Sequence, residues 1–173
     1  MKSVLSHPRI LVIGFGNPGR VDDGLGPALA ERVADLDLPE VSTESFYQLS
    51  VEDSLDVALA DVVVFADATV DATRPFGFER LEPDPSPSFT SHAVHPAGVL
   101  ALADSVHGAR PDAWLLTIRG HEFDRFEEAL TDGARADLEA ALSFLAPLLE
   151  AHDPDAFRAA AADLAAPQPA TSP

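Results

Sequence analysis

The spacing of hydrophobic positions changes repeatedly along the chain, and each change marks an element. Residues 9–14, Arg-Ile-Leu-Val-Ile-Gly, form a short β-branched run ending in glycine, the pattern of a buried strand. Over residues 22–36 the apolar positions Leu25, Ala28, Leu29, Val33 and Leu36 recur at helical spacing. Pro39 bars any continuation of that helix. Residues 41–47 alternate as a strand, and residues 51–59 have the spacing of a short helix. Residues 61–67, Asp-Val-Val-Val-Phe-Ala-Asp, are apolar without alternation, so this strand is buried on both faces. A weaker strand pattern follows at 76–81, and Pro83, Pro85 and Pro87 mark a loop. Residues 96–106 read as a helix with Pro96 in its first turn and Gly108 past its end. Residues 113–118 read as a strand and 133–151 as a long amphipathic helix, in which Pro147 is expected to kink or split off the last turn.

Strands alternate with helices, and two strands are apolar on both faces. The pattern predicts one three-layer α/β domain, a twisted and mostly parallel sheet of about five strands with helices on both faces. That domain is placed at residues 1–152. Residues 153–173 are rich in Ala and Pro and read as a largely disordered tail, apart from a helix-compatible stretch at 155–164.

Composition narrows the function classes. The chain has 173 residues, 46% of them hydrophobic, which suits one globular domain with a real core. Its 29 acidic and 11 basic residues give a formal net charge of −18. Such a body is repelled by phosphate backbones and anionic surfaces, so neither nucleic acid nor membrane is an expected partner. No apolar run reaches the roughly 18 residues of a membrane span. Residues 1–8 lack the apolar stretch of a secretory signal, so a cytoplasmic location is expected. The absence of cysteine excludes thiolate ligands and a cysteine nucleophile, leaving imidazole and carboxylate for any metal.

The first strand opens into Gly14-Phe15-Gly16-Asn17-Pro18-Gly19, then Val21-Asp22-Asp23-Gly24. Gly14, Gly16 and Gly19 match the dinucleotide spacing after a strand. Two acids at a helix start, however, would compete with and repel a phosphate. One of them is accounted for as an N-cap. The other is free to face the crevice beyond the strand ends. Gly-Asn-Pro-Gly also resembles the opening of peptidyl-tRNA hydrolases, but the catalytic histidine segment of that family is missing and the charge is wrong for tRNA. Asp67, at the end of the second buried run, falls on the same sheet edge as the glycine loop. His92 and His95 precede the helix at 96–106, and His121 follows the strand at 113–118. Two carboxylates and an imidazole on one edge form a set suited to a borderline divalent ion such as nickel or zinc. Neither a Gly-x-Ser-x-Gly elbow nor a His-Glu-x-x-His motif is present.

Taken together, these residues resemble the hydrogenase maturation endopeptidases over roughly residues 9–151. Gly14-Phe15-Gly16-Asn17, Asp22-Asp23-Gly24, Phe65-Ala66-Asp67-Ala68 and His92, followed by Val99-Leu100-Ala101-Leu102-Ala103, carry the likeness. Tyr47-Gln48-Leu49 and Arg119-Gly120-His121-Glu122-Phe123 look like the branch serving soluble hydrogenases. The resemblance implies a metal-dependent endopeptidase whose partner is a hydrogenase large-subunit precursor. It maps both the metal site and the catalytic set onto Asp23, Asp67 and His92. It also implies that nickel arrives with the substrate, with zinc or cadmium as stand-ins in a crystal. Two other classes remain open to test: a non-catalytic nickel-binding chaperone on the same site, and a nucleotide-binding Rossmann-like module.

Overall fold

The computed structural model describes residues 7–86 and 94–166. Five strands, β1 (Ile10–Phe15), β2 (Val41–Phe46), β3 (Val62–Thr69), β4 (Phe76–Leu81) and β5 (Asp112–Arg119), form one sheet in the order β2-β1-β3-β5-β4. The first four in that order are parallel, and β4 runs antiparallel to β5 at the edge. The predicted three-layer α/β arrangement with a mostly parallel sheet is the observed one.

The two faces have separate cores. Ile10, Val12, Val62, Val64, Trp114 and Leu116 point one way. They pack under α1 (Leu25–Ala34), α4 (Asp132–Ala151) and α5 (Pro154–Ala165). Leu11, Ile13, Val63, Phe65 and Ala113 point the other way, against α2 (Asp53–Leu59) and α3 (Pro96–His107). The central β3 is buried on both sides over Val62–Ala66, as its unbroken apolar run requires. Among the described residues no helix is long and apolar enough to cross a membrane.

Three expectations change. The helix predicted over 22–36 begins instead with a 3₁₀ turn, Val21–Gly24, and only then becomes α1. The cause is the demand on Asp22 described below, which a regular helix start would not meet. The helix read over 133–151 is not split at Pro147: α4 is continuous to Ala151. Packing of Leu145 and Leu149 on either side of the proline, both fully buried, holds the final turn despite the missing N–H.

The third change concerns the stretch read as a tail. It contains α5, started by Asp153, whose side chain accepts the Asp155 N–H, and by Pro154 in its first turn. The anchor is Phe157, fully buried beside Trp114 and Phe78. An Ala-rich segment has little apolar payload of its own, and one phenylalanine in an aromatic cluster supplies it. The described order therefore runs past residue 152.

Candidate active site at the carboxyl edge of the sheet

The glycine loop is shaped by backbone contact. A Cβ on Gly14 would overlap the Gly26 carbonyl oxygen, so β1 and α1 touch through their main chains. Gly16 has φ +139°, and a Cβ there would overlap the Asp23 carbonyl oxygen. These two glycines fold the loop back on itself and set Asp23 beside Gly16. The Asn17 N–H donates to Asp23 Oδ2 at 3.1 Å, and Asn17 Oδ1 accepts the Gly19 N–H at 2.9 Å. A loop filled by its own carboxylate is not a free phosphate cradle.

Asp67 comes from β3, opposite Thr117 of β5 and one residue beyond the Ala66–Gly14 pair. The strand continues three residues beyond its buried apolar run Val62–Ala66, to Thr69. Alternation along β3 puts Asp67 on the face of Val63 and Phe65, the face covered by α2 and α3. Its Oδ1 accepts the Ala68 N–H at 2.8 Å. Burial pushes the Asp67 carboxyl up to about 6; the Ala68 N–H opposes this, and the negative charge of Asp23 adds to it. The two carboxylates are therefore close enough to repel one another. A cation beside Asp67 would relieve the cost of burying its charge.

His92 falls in residues 87–93 and lies outside the described residues. Its flank is fixed: the Val94 N–H donates to the Leu49 carbonyl at 3.2 Å, tying the lead-in of α3 to the loop that leaves β2. His95 is exposed at the start of α3, and its carbonyl accepts from Gly98 and Val99. Among the described residues no group of three or more metal-ligating side chains converges.

Asp22 does not face the crevice. It is fully buried, with a relative exposure of 0%. Its Oδ2 accepts from the N–H groups of His121 at 2.8 Å and Glu122 at 3.0 Å, and from the Thr131 hydroxyl at 2.8 Å. Its Oδ1 accepts the Thr131 N–H at 2.8 Å. Burial would raise its carboxyl, but the donors from Thr131, His121 and Glu122 outweigh burial and hold it below the usual range. The expected N-cap role is thus replaced: Gly24 stands before α1, and no side chain caps it.

Asp22 instead staples the glycine loop to the segment between β5 and α4. Thr131 in turn caps α4 by accepting the Ala134 N–H at 3.2 Å. Nearby, Asp137 of α4 is buried and receives Arg119 through Nε at 2.9 Å and a second nitrogen at 3.1 Å. The ring of His121 lies 2.8 Å from the same carboxylate. Sequence reading singled out His121 but not Asp137 or Thr131. A Thr two residues before a helix with Gly at its start is the one local signal, and it points to capping rather than to Asp22.

Neither a family model nor a curated relative matches the chain. Solved structures do. The NiFe hydrogenase maturation protease HycI from Thermococcus kodakarensis KOD1 matches at TM-score 0.65 and 23% identity, covering 83% of this chain and 94% of that one. The hydrogenase maturating endopeptidase HYBD from E. coli matches at TM-score 0.59 and 25% identity, covering 83% and 93%. A hydrogenase 3 maturation protease matches at TM-score 0.59 and 18% identity, covering 86% and 94%. The likeness read from Gly14–Asn17, Asp22–Gly24 and Asp67 therefore extends to the whole architecture: this chain has the fold of the hydrogenase maturation proteases.

Proposed function

We propose that the chain is an endopeptidase that removes the C-terminal extension of a nickel-loaded hydrogenase large-subunit precursor, in the cytoplasm. The observation that carries this reading is the juxtaposition of Asp23 and Asp67 at the carboxyl edge of a sheet shared with maturation endopeptidases. Open α/β sheets place their sites at that edge. Two mutually repelling carboxylates gain most from a cation, and the substrate supplies it as nickel. His92 is the third ligand in this account, carried on the segment that leads into α3.

Nickel acts here as a recognition handle. A precursor without the metal offers Asp23, Asp67 and His92 nothing to bind, so it is not held for cleavage. The glycine-loop backbone, with Asn17 held by Asp23, borders the place where the scissile segment lies. The attacking water gives up its proton either to one of the carboxylates or through the metal's effect on its acidity.

The experiment compares nickel-loaded and nickel-free precursor incubated with the protein, with the C-terminal extension followed by mass spectrometry. Release from the loaded form alone is expected. Equal release from both, or full activity in His92→Ala, would overturn the reading. Binding of the precursor without peptide release would favour a chaperone instead.

A further inference from the structure

The exposed aromatic rings are not scattered. Among the described residues, two of the Phe, Tyr and Trp side chains stand out in solvent, Tyr47 at 70% and Phe126 at 87% exposure. Both leave the carboxyl edge of the sheet, and both sit on segments hydrogen-bonded to the glycine loop. Tyr47 follows β2 directly, and the carbonyl of the preceding Phe46 accepts the Gly16 N–H at 3.0 Å. Phe126 precedes Glu127, whose N–H donates to the Gly19 carbonyl and whose carbonyl accepts the Val21 N–H, each at 3.0 Å. The Phe126 segment is further held by Asp22 through His121, Glu122 and Thr131. Backbone hydrogen bonds hold the segments that carry the two rings, so less main-chain freedom is lost when a partner binds them.

The glycine loop lies between them: Tyr47 borders it at Gly16 through Phe46, and Phe126 borders it at Gly19 and Val21 through Glu127. The flanks of both rings are acidic. Glu44 and Glu52 are near Tyr47 in sequence, and Asp124, Glu127 and Glu128 surround Phe126 with Arg125 already paired to Glu122 and Glu127. Aromatic anchors inside a charged rim are the usual energetic centres of protein interfaces.

We propose that Tyr47 and Phe126 are a pair of specificity anchors that seat the substrate protein over the glycine loop that leads to Asp23. The partner surface they fit carries two apolar pockets within a basic rim, on the precursor itself. This rests on the proposed endopeptidase reading. The rings act on holding the partner, whereas Asp23 and Asp67 act on its metal, so the two sets separate kinetically. Loss of a ring raises KM and leaves kcat nearly unchanged. The acidic rim makes association faster at low salt.

The test uses the full chain with nickel-loaded large-subunit precursor retaining its extension. Binding is read by biolayer interferometry and cleavage by mass spectrometry, for wild type, Tyr47→Ala, Phe126→Ala and Phe126→Leu. The expected result is weaker binding by about tenfold for each alanine variant, partial retention in Phe126→Leu, unchanged melting temperatures, and slower association at high salt. Binding and KM within twofold of wild type in both alanine variants, with wild type cleaving normally, would overturn the anchors while leaving the endopeptidase reading intact. Wild type that binds through the two rings but releases no peptide would uphold the anchors and overturn the endopeptidase reading. Wild type that neither binds nor cleaves would overturn both.

Discussion

Asp22 lies at 0% exposure with four hydrogen bonds on its two oxygens, while Asp23 accepts a backbone N–H and faces a second carboxylate. The two are adjacent in sequence and chemically identical, and their surroundings differ. Around Asp22 burial disfavours the charge, but the donors of Thr131, His121 and Glu122 outweigh it and hold the carboxyl below the usual range. Around Asp67, which shares its field with Asp23, burial and repulsion destabilise the charge and push the carboxyl up to about 6. A satisfied carboxylate holds structure together. A buried carboxyl held above its usual range carries a cost in the free protein that a cation bound beside it would remove.

The contrast breaks first at Asp22. Asp22→Ala leaves the donors of His121, Glu122 and Thr131 without a partner in the interior, and is expected to lose about 3–5 kcal/mol in urea unfolding. A loss under 1 kcal/mol would mean that the staple is replaced by water and does not organise the loop.

Asp67 should behave in the opposite way. Asp67→Asn keeps an acceptor for the Ala68 N–H and removes the buried charge. It is expected to stabilise the free protein at pH 7 by about 1–3 kcal/mol while abolishing cleavage. The pH dependence has a definite sign. With a folded value near 6 against 3.8 for the ordinary group, the folded state binds more protons between about pH 4 and 6. Asp67 therefore makes stability fall as pH rises through that window. Asp22, whose carboxyl is lowered, contributes stability that is present above the ordinary value and lost as pH falls through its folded one. Thermal melts of wild type and Asp67→Asn from pH 4 to 7 should converge at the acid end, separate progressively up to about pH 6 and keep a constant gap above it. Parallel curves would show that Asp67 is not under strain.

A smaller effect is expected at Thr131. Thr131→Val removes the hydroxyl that donates to Asp22 and caps α4, leaving the backbone donor in place. The expected cost is about 1–2 kcal/mol, measured by urea unfolding, with cleavage retained. Loss of cleavage without loss of stability would tie the Asp22 region to catalysis after all.

Much of this fold is readable from periodicity. The unbroken apolar runs of β1 and β3 specify central parallel strands, and the glycine-acid segment between β1 and α1 specifies the edge where Asp23 and Asp67 lie. Asp67 was legible because an acid directly after five buried residues has one place to go in such a sheet. The staple role of Asp22 was not legible. It depends on His121, Glu122 and Thr131, about a hundred residues away, and no local pattern encodes that contact. The α5 helix was under-read for a related reason: its propensity is plain, but its order depends on Phe157 reaching the Trp114–Phe78 cluster across the sheet. Asp137 was hidden in the polar pattern of a helix and shows its role only when Arg119 and His121 meet it.

The most direct measurement compares Asp22→Asn with Asp23→Asn, reading melting temperature and cleavage of the nickel-loaded precursor on the same preparations. The account predicts that Asp23→Asn melts within about 2 °C of wild type and loses cleavage by at least about a hundredfold. It predicts that Asp22→Asn melts well below wild type and still cleaves at a temperature where it is folded. The reverse result, an inactive but stable Asp22→Asn beside an active Asp23→Asn, would contradict it.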